Sequence, residues 1–461
     1  MKKPIVLIAL ILFPFFAWAY DVEIDGIYYN LLKEKKVAEV TRGDKKYSGS
    51  VVIPSTIIFE GKNYRVSSIG DSAFFFCYDL NAITIPLSII NIGNRAFYQC
   101  NGLESVKIPN RVTKIGDAAF FSCVSLSSVK VPNSISSIGK YAFAYCEKIS
   151  SLVIPSNLTS ISEGTYCGCS SLKSVVIPYR VKTIGAKAFR ECNSLIKIVI
   201  PYGVTTIEDE AFSACVNLTS VYISKGVEHI GNKIFFGSDI SSIFVDPTNK
   251  FFDSRKNCNA IIEKSTNKLI IGCKGTKIPK SVTSIGVNAF RQCSGLTSIM
   301  IPEGVTSIGD SAFYRCKELS SIYFPSTLTS IGEYAFQDCI GLTSLIIPNS
   351  VTFIGNHAFA RCGFTSLVIS NHLTSIEPYT FGYCQNFTSV VIPSGVKTIG
   401  EGAFCICNRL KSVEIPEGVT KIGNSAFYNC SSLTYIEIPK SVKVVGKDAF
   451  EKCYKLTIKL L

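Results

Sequence analysis

The chain has 461 residues, a formal net charge of +13 and a hydrophobic content of 47%. Length alone suggests two or three domains with a large buried core. The positive charge is spread along the chain, and its one concentration, Lys33, Lys35, Lys36, Lys45 and Lys46, is interpreted as a solvated turn. This distribution argues against a nucleic-acid partner.

The N-terminus has the pattern of a secretory signal peptide. Met1-Lys2-Lys3 precedes an apolar stretch over residues 5–16, and Ala17-Trp18-Ala19 then provides small residues before Tyr20. The stretch is shorter than the roughly 20 residues of a membrane-spanning helix, and Pro14 interrupts it. We therefore predict that residues 1–19 are removed on export. No second long apolar segment follows, so the mature chain is expected to be soluble and free of transmembrane segments.

A 23-residue period organises nearly the whole sequence. Cysteine marks the period at positions 77, 100, 123, 146, 169, 192 and 215, again at 293, 316, 339 and 362, and after one 22-residue step at 384, 407, 430 and 453. Ser238 takes the slot after Cys215, and the phase is then lost until Cys293. Self-similarity at such a period predicts a repeat solenoid.

Residues 108–130 illustrate one unit. The apolar alternation around Lys130 predicts a short strand, which Pro132 ends, and residues 112–115 form a second extended piece. Gly116 is expected to supply positive φ at a turn, and Ala119-Phe120 are expected to form a single helical turn. Such a unit cannot close a core alone, so the units must stack.

The recurrent apolar positions predict internal columns. One column is aromatic and the facing column is leucine, and truncation of either residue to Ala should cost about 2–5 kcal/mol. The aromatic column comprises Phe74, Phe97, Phe120, Phe143, Tyr166, Phe189, Phe212, Phe290, Phe313, Phe336, Phe359, Phe404, Phe427 and Phe450. The predicted fold is a β-rich, right-handed, leucine-rich-repeat-like solenoid of 23-residue units.

Two segments depart from the period and suggest boundaries. Residues 20–50 are predicted to form an N-terminal β-hairpin cap, since terminal repeats need covering. Residues 51–245 form a first block of repeats, residues 246–277 an inserted β-hairpin and residues 278–461 a second block. Cys258 and Cys273 flank the inserted hairpin, where a disulfide could join them.

The 19 cysteines of an exported chain invite a disulfide framework. Fifteen of them, however, occupy equivalent slots, where every neighbour is alike and parallel side chains rarely meet the torsion of a disulfide. We predict buried free thiols. The Cys-x-Cys pairs at Cys167 and Cys405 have no nearby His or second pair, so no metal site is expected.

The sequence offers little for catalysis. His229, His357 and His372 lie in different repeats, and none adjoins a Cys or Ser in a nucleophile motif. Phosphate-binding loops are absent from the sequence as well. We expect a non-enzymatic protein without a cofactor.

The positions of interest are those predicted to face outward on the longer strand. Their row starts with Thr84, Lys107 and Lys130 and ends with Glu414 and Glu437. The middle is apolar and supplies the candidate binding residues Val176, Val199, Tyr222, Phe244, Met300, Tyr323 and Ile346. One interpretation is a binding surface, since so long an exposed apolar row is unusual on an inert monomer. The alternative is that these residues stack along the strands and stabilise them.

The repeat Ile-Pro-x-x-Val-Thr-x-Ile-Gly-x-x-Ala-Phe-x-x-Cys-x-x-Leu-x-Ser-Val-x closely resembles the BspA-type leucine-rich repeat family, typified by Treponema pallidum surface antigens. The resemblance covers residues 51–456. It implies a secreted or cell-surface protein, and some relatives bind matrix and plasma glycoproteins or mediate attachment. An adhesion module for host or bacterial surface glycoproteins is the expected function. The alternative is a structural or self-associating envelope scaffold.

Overall fold

The computed structural model describes residues 20–461, so the predicted signal peptide lies outside the described residues. Two compact units divide the chain after Cys146, the second being Glu147–Leu461. Each unit is a β-solenoid of turns about 23 residues long, which confirms the predicted fold class. Within residues 20–461, no helix combines the length and apolarity needed to cross a membrane.

An antiparallel hairpin opens the first unit, as predicted, and joins the stack through its second strand. That strand, Val37–Thr41, pairs in parallel with Lys62–Ile69. A single 3-10 turn, Lys33–Lys35, connects the two arms of the hairpin. The strands of this unit are β1 Val22–Ile24, β2 Ile27–Leu32, β3 Val37–Thr41, β4 Gly49–Val52, β5 Thr56–Phe59, β6 Lys62–Ile69, β7 Leu80–Thr84, β8 Asn91–Ile92, β9 Ser105–Lys107, β10 Lys114–Ile115, β11 Ser128–Lys130 and β12 Ser137–Ile138.

Outside residues 246–283, the second unit repeats the same pair of elements from turn to turn, a strand of three or four residues and a strand of two. Its strands are β13 Ser151–Val153, β14 Ser160–Ile161, β15 Ser174–Val176, β16 Thr183–Ile184, β17 Lys197–Ile200, β18 Thr206–Ile207, β19 Ser220–Ile223, β20 His229–Ile230, β21 Ser242–Val245, β22 Phe252–Asp253, β23 Ala260–Glu263, β24 Lys268–Gly272, β25 Ser284–Ile285, β26 Ser298–Met300, β27 Ser307–Ile308, β28 Ser321–Tyr323, β29 Ser330–Ile331, β30 Ser344–Ile346, β31 Phe353–Ile354, β32 Ser366–Val368, β33 Ser375–Ile376, β34 Ser389–Val391, β35 Thr398–Ile399, β36 Ser412–Glu414, β37 Lys421–Ile422, β38 Tyr435–Ile438, β39 Val444–Val445 and β40 Thr457–Leu460.

The inserted segment of the second unit contains a β-hairpin. Strands β23 and β24 pair antiparallel, and β22 adds to the outer side of β23. A 3-10 turn, Arg255–Asn257, leads into the hairpin. β24 pairs in parallel with β25, so the insert continues the sheet of short strands into the repeats that follow.

The expected helical turn at Ala119-Phe120 is wrong. Ala118 and Ser122 have positive φ, at 52° and 55°, which no helix accommodates. The N–H groups of Ala118, Phe120 and Ser122 instead donate to carbonyls of the next turn, at 2.7–2.8 Å. Pairing between turns therefore takes every second N–H group, and only the alternate N–H groups, those of Phe121 and Cys123, make local bonds to the residue three positions earlier.

Gly116 does not supply positive φ, contrary to the expectation. A Cβ built on Gly116 would lie 2.5 Å from the backbone nitrogen of Asn94 in the preceding turn. The same close approach recurs at Gly332, where a Cβ would lie 2.6 Å from the nitrogen of Asp310. Glycine is favoured here because adjacent backbones lie close together, yet Glu208 takes the same place in another turn and keeps the hydrogen bond between turns, at 2.9 Å.

The aromatic column is a stack of nearly parallel rings. In the first unit the ring centroids of Phe74, Phe97 and Phe120 are 4.9 Å apart at each step, with interplanar angles of 6° and 8°. In the second unit Phe313 and Phe336 repeat the arrangement at 5.0 Å. These rings are fully buried, so each level contributes the burial of a large apolar side chain.

The cysteine column has a role beyond filling space. The Cys316 thiol donates to the carbonyl of Phe290, 26 residues earlier, with Sγ 3.0 Å from the oxygen. Cys339 does the same to Phe313 at 3.1 Å. Ser238, the one serine of the column, donates to Phe212 at 3.1 Å. The carbonyls of Phe290 and Phe313 also accept a backbone N–H of their own turn, at 3.0 and 3.1 Å, so the slot holds a small donor that adds a second hydrogen bond to a buried carbonyl.

All 19 cysteines are free thiols in the structure, and burial raises the pKa of most of those whose pKa is shifted. Cys293 is the only partly exposed one.

We therefore expect native alkylation under non-reducing conditions to label Cys293 first and slowly, and unfolding to release the remainder. Mass spectrometry of alkylated peptides measures this. Pairing of most column cysteines in the native protein would contradict it.

A row of rings also lies on the outside of the second unit. The imidazole of His357 stacks between Tyr334 and Tyr379, with centroid distances of 4.9 and 4.8 Å. Burial between the two rings lowers the pKa of His357, and the carboxylate of Glu333 partly opposes this.

Because the folded protein disfavours protonated His357, the unfolded chain binds more protons as the pH falls below about 6.5. We expect the free energy of unfolding to decline between about pH 7 and 5, and His357→Phe to flatten that decline. Urea unfolding at several pH values measures it. His372→Asn, which removes an exposed imidazole, is the control, and an unchanged pH dependence in His357→Phe would refute the assignment.

Candidate interaction surface

The predicted outward row exists in the second unit as in-register positions on parallel strands. Val199 on β17 lies beside Tyr222 on β19, which lies beside Phe244 on β21. Met300 on β26 likewise pairs with Tyr323 on β28. Directly paired residues on neighbouring parallel strands point to the same side of the sheet, so pairing without a register shift places these side chains on one face.

The side chains of the row are strongly exposed. The exposed fraction is 79% for Val176, 71% for Met300 and Ile346, and 57% for Tyr323. Val199 and Phe244 are less open but still face solvent. The residues between them, such as Val221 and Ile299, are buried in the core. The row is therefore an apolar surface carried on strands that pack on the core and belong to four short sheets.

Tyr222 differs from the other candidate residues. Its ring stacks on Phe244 at 5.4 Å, and its hydroxyl donates to Asp246 Oδ2 at 3.1 Å. Partial burial and the Asp246 carboxylate raise the pKa of this hydroxyl. Tyr222 thus supports the loop after β21 as well as lining the surface.

The row is not continuous across the insert. Strands β21 and β26 do not pair, and β21 ends its own three-stranded sheet. Lys277 occupies the equivalent position one repeat before Met300, in a segment without strand structure, and its side chain is exposed. In repeat order, a cation therefore stands between Phe244 and Met300. The sequence predicted one apolar stretch here, whereas the structure has two.

The acidic end of the row is partly neutralised. Glu437 accepts hydrogen bonds from Lys459 at 2.8 Å and from the hydroxyl of Tyr435 at 2.6 Å. These two donors lower the pKa of the Glu437 carboxyl. Lys459 lies on β40, directly beside Glu437. The row therefore ends in an ion pair. Glu414, the other acidic residue of the row, forms no ion pair with residues 20–461.

Two exposed tyrosines extend the surface and were missed in the sequence. Tyr179 and Tyr202 each follow the proline that ends a long strand, three residues after Val176 and Val199. Their rings stack at 6.1 Å, and more than half of each side chain is exposed. The recurrence of Pro-Tyr in two successive repeats was the available signal.

The remaining candidates do not assemble into a chemical centre. Cys258 and Cys273 are buried free thiols, and Cys273 donates to the Asn259 carbonyl at 3.2 Å, so a disulfide between them stays a prediction. His229 and His372 are exposed in separate turns, and the ring of His372 contacts the Asn349 carbonyl at 2.7 Å. Within residues 20–461, no three His, Cys, Asp or Glu side chains converge on a position that could hold a metal ion.

Similarity to known proteins agrees with this geometry. The family "BspA type Leucine rich repeat region (6 copies)" matches residues 67–195, 136–263, 260–387 and 374–459. No curated protein matches.

Two solved structures align over nearly the full length. A leucine-rich repeat protein from Bacteroides ovatus is 27% identical, covering 96% of this chain and 100% of its own, with a TM-score of 0.50. A leucine rich cell surface protein from Faecalibacterium prausnitzii is 25% identical, covering 95% and 94%, with a TM-score of 0.50. Since the family matches most of the sequence and its repeat coincides with the structural turns, this chain belongs to the BspA-type leucine-rich repeat family.

Proposed function

We propose that this chain is an exported protein-binding module that contacts its partner through the apolar row of the second unit. The observation that carries the proposal is the strong exposure of Val176, Met300, Tyr323 and Ile346 on strands that pack against the core. Solvent-facing apolar residues in such a row cost solubility unless a partner covers them. Aromatic residues and methionine are also enriched at the centres of protein interfaces.

Surface location and adhesion are part of the same proposal. The predicted signal peptide over residues 1–19 supports export, and the similar Faecalibacterium protein is described as a cell surface protein. The partner is proposed to be a host extracellular or bacterial surface protein or glycoprotein. A mixed surface of valine, tyrosine and methionine fits a protein face better than a highly charged polymer.

The row can be tested with a double substitution, Met300→Ser with Tyr323→Ser. Both side chains are exposed, so the melting temperature should change by no more than a few degrees. Retention of the protein on immobilised fibronectin or fibrinogen should weaken severalfold or more. Biosensor binding and thermal unfolding measure the two quantities.

Ile340→Ser with Tyr454→Ser is the matched control. These side chains are 57% and 80% exposed, and both follow a column cysteine, so they lie off the row. The control should bind as the native protein does, because it removes comparable apolar surface from a different place.

Tyr222→Ser is unsuitable as a first test because its ring and hydroxyl contact Phe244 and Asp246. Its loss would lower stability and binding together. A Met300/Tyr323 variant that melts earlier and binds unchanged would assign the row to stabilisation instead.

A second candidate function, self-association as an envelope scaffold, is favoured by the last turn of the second unit. Among residues 20–461, strands β39 and β40 each pair on one side only, with β37 and β38. Val444, Val445 and Leu460 on these edges are about half exposed or more. Unpaired edges with apolar side chains promote strand pairing between molecules.

If this edge drives assembly, light scattering of the purified protein should show a molar mass that rises with concentration. Val445→Lys with Leu460→Lys should hold the protein at the mass of a monomer, because charge on an edge opposes pairing. A monomer at all concentrations before substitution would eliminate the scaffold candidate and leave the binding module.

A further inference from the structure

At one level of the second unit, two turns are not joined by the usual backbone hydrogen bonds, and a cleft lies between them. We call this level the open step, and a hydrogen-bonded pair of turns a closed step. The cleft lies between the turn at residues 228–240 and the turn at residues 286–293, and it encloses about 390 Å³. The inserted hairpin lines its inner side through Ile270, Ile271 and Gly272. This volume falls within the range of ligand-binding cavities.

Closed steps show what the open step lacks. In a closed step, three N–H groups at alternate residues of one turn donate to three carbonyls at alternate residues of the next. Glu210, Phe212 and Ala214 donate in this way to Asn232, Ile234 and Phe236, at 2.9, 2.9 and 2.5 Å. Ser311, Phe313 and Arg315 donate to Glu333, Ala335 and Gln337, at 2.8, 2.7 and 2.8 Å.

The donor wall of the cleft has no such acceptors. The equivalent N–H groups belong to Lys233, Phe235 and Gly237, and among residues 20–461 no atom accepts a hydrogen bond from them. The ring of Phe235 stacks on Phe212 at 5.9 Å and, among the described residues, on no ring across the cleft. One turn therefore offers three free donors, with the buried ring of Phe235 among them.

The opposite wall is complementary. Its equivalent carbonyls belong to Val287, Ala289 and Arg291. The carbonyl of Ala289 accepts from the N–H of Gly272 at 2.8 Å, whereas those of Val287 and Arg291 receive no hydrogen bond from the described residues. A free backbone donor or acceptor in a cavity costs free energy unless a ligand or water pairs with it.

Side chains brace the cleft from the outside. Lys274 forms an ion pair with Asp239 at 2.8 Å, and the guanidinium of Arg291 lies over the rings of Phe236 and Tyr314, at 5.4 and 4.0 Å from their centroids. The buried Nε of Arg291 has no hydrogen-bond partner in the structure. The Arg291–Phe236 contact spans the two walls, and the Lys274–Asp239 pair joins the inserted segment to the donor wall.

We propose that this cleft binds a peptide segment of another protein, which takes the place and the backbone conformation of the missing turn. Its alternate carbonyls would accept from Lys233, Phe235 and Gly237, and its N–H groups would donate to Val287 and Arg291. Peptide backbone fits because the donors are spaced as they are where they meet peptide carbonyls, whereas one phosphate or carboxylate cannot reach three donors spread over five residues. The site is separate from the apolar row.

Amide exchange tests the proposal without any substitution. In the free protein, the N–H groups of Lys233, Phe235 and Gly237 should exchange with deuterium at least tenfold faster than those of Ser311, Phe313 and Arg315. The probe is an end-blocked peptide with the sequence of residues 309–315, which presents the carbonyls of a closed step. An excess of this peptide should slow exchange at the three amides and slow alkylation of Cys293, which lines the cleft.

Val287→Trp and Asn356→Trp form a matched pair. Val287 is exposed at the cleft mouth, so the indole should block the site and abolish saturable binding of the labelled peptide. Asn356 is the equivalent position three turns later, beside a closed step, and its variant should bind as the native protein does. Circular dichroism establishes that both variants fold.

Three results would overturn the proposal. The first is equal protection of the three cleft amides and the three closed-step amides in the free protein. The second is a peptide that leaves both amide exchange and Cys293 alkylation unchanged. The third is protection of the amides by inorganic phosphate but not by the peptide, which would make the cleft an anion site. If Val287→Trp fails to fold, the exchange experiment alone decides.

Discussion

Hydrogen bonds from the N–H groups of one turn to the carbonyls of the next hold each unit together. They bring adjacent backbones close together at the corner that Gly116 and Gly332 occupy. A Cβ there would lie only 2.5–2.6 Å from a backbone nitrogen of the preceding turn. They also require positive φ at two residues of the corner, as at Ala118 and Ser122. Each such residue costs about a kcal/mol of strain, which the surrounding pairing offsets. A repeat of nearly constant length follows, since insertion of one residue would break the register of both neighbouring steps.

The buried columns follow from this constraint. Once the turns are fixed in register, identical side chains lie above one another, and phenylalanine rings stack nearly parallel at about 5 Å. The same register brings the cysteine thiol of the next turn to the carbonyl of a column phenylalanine, which already accepts a backbone N–H of its own turn, so the thiol adds a second hydrogen bond that joins the two turns. Cysteine is suited to this position because it is small and apolar and still donates weakly. Ser238 shows that the donor matters, since it makes the same bond through a hydroxyl.

Side chains and backbone groups that do not hold the turns together are the ones available for function. Outward positions of the longer strands are not needed for the core, so they can be apolar, basic or acidic, and they are apolar on both sides of Lys277, from Val176 to Phe244 and from Met300 to Ile346. The insert creates the second opportunity, because its hairpin occupies the inner part of one step and satisfies only one of three carbonyl positions there. A solenoid with a closed step at that level would have neither the cleft nor a partly exposed Cys293. Both surfaces therefore arise from the scaffold itself.

The sequence by itself determined the period, the stacked columns, the N-terminal hairpin and the inserted hairpin, because each rests on a pattern of apolar side chains that repeats or alternates locally. It also placed Val176, Met300 and Tyr323 on the outward face, since alternation along a strand decides which side a residue takes. The conformation of the corner at Ala118, the role of Gly116 and the thiol bond of Cys316 were decided only by tertiary structure. Each depends on a backbone group in a neighbouring turn, which no local pattern reveals. The same holds for Tyr222, whose partner Asp246 follows the strand, and for the free donors of Lys233, Phe235 and Gly237, which are defined by the absence of the next turn.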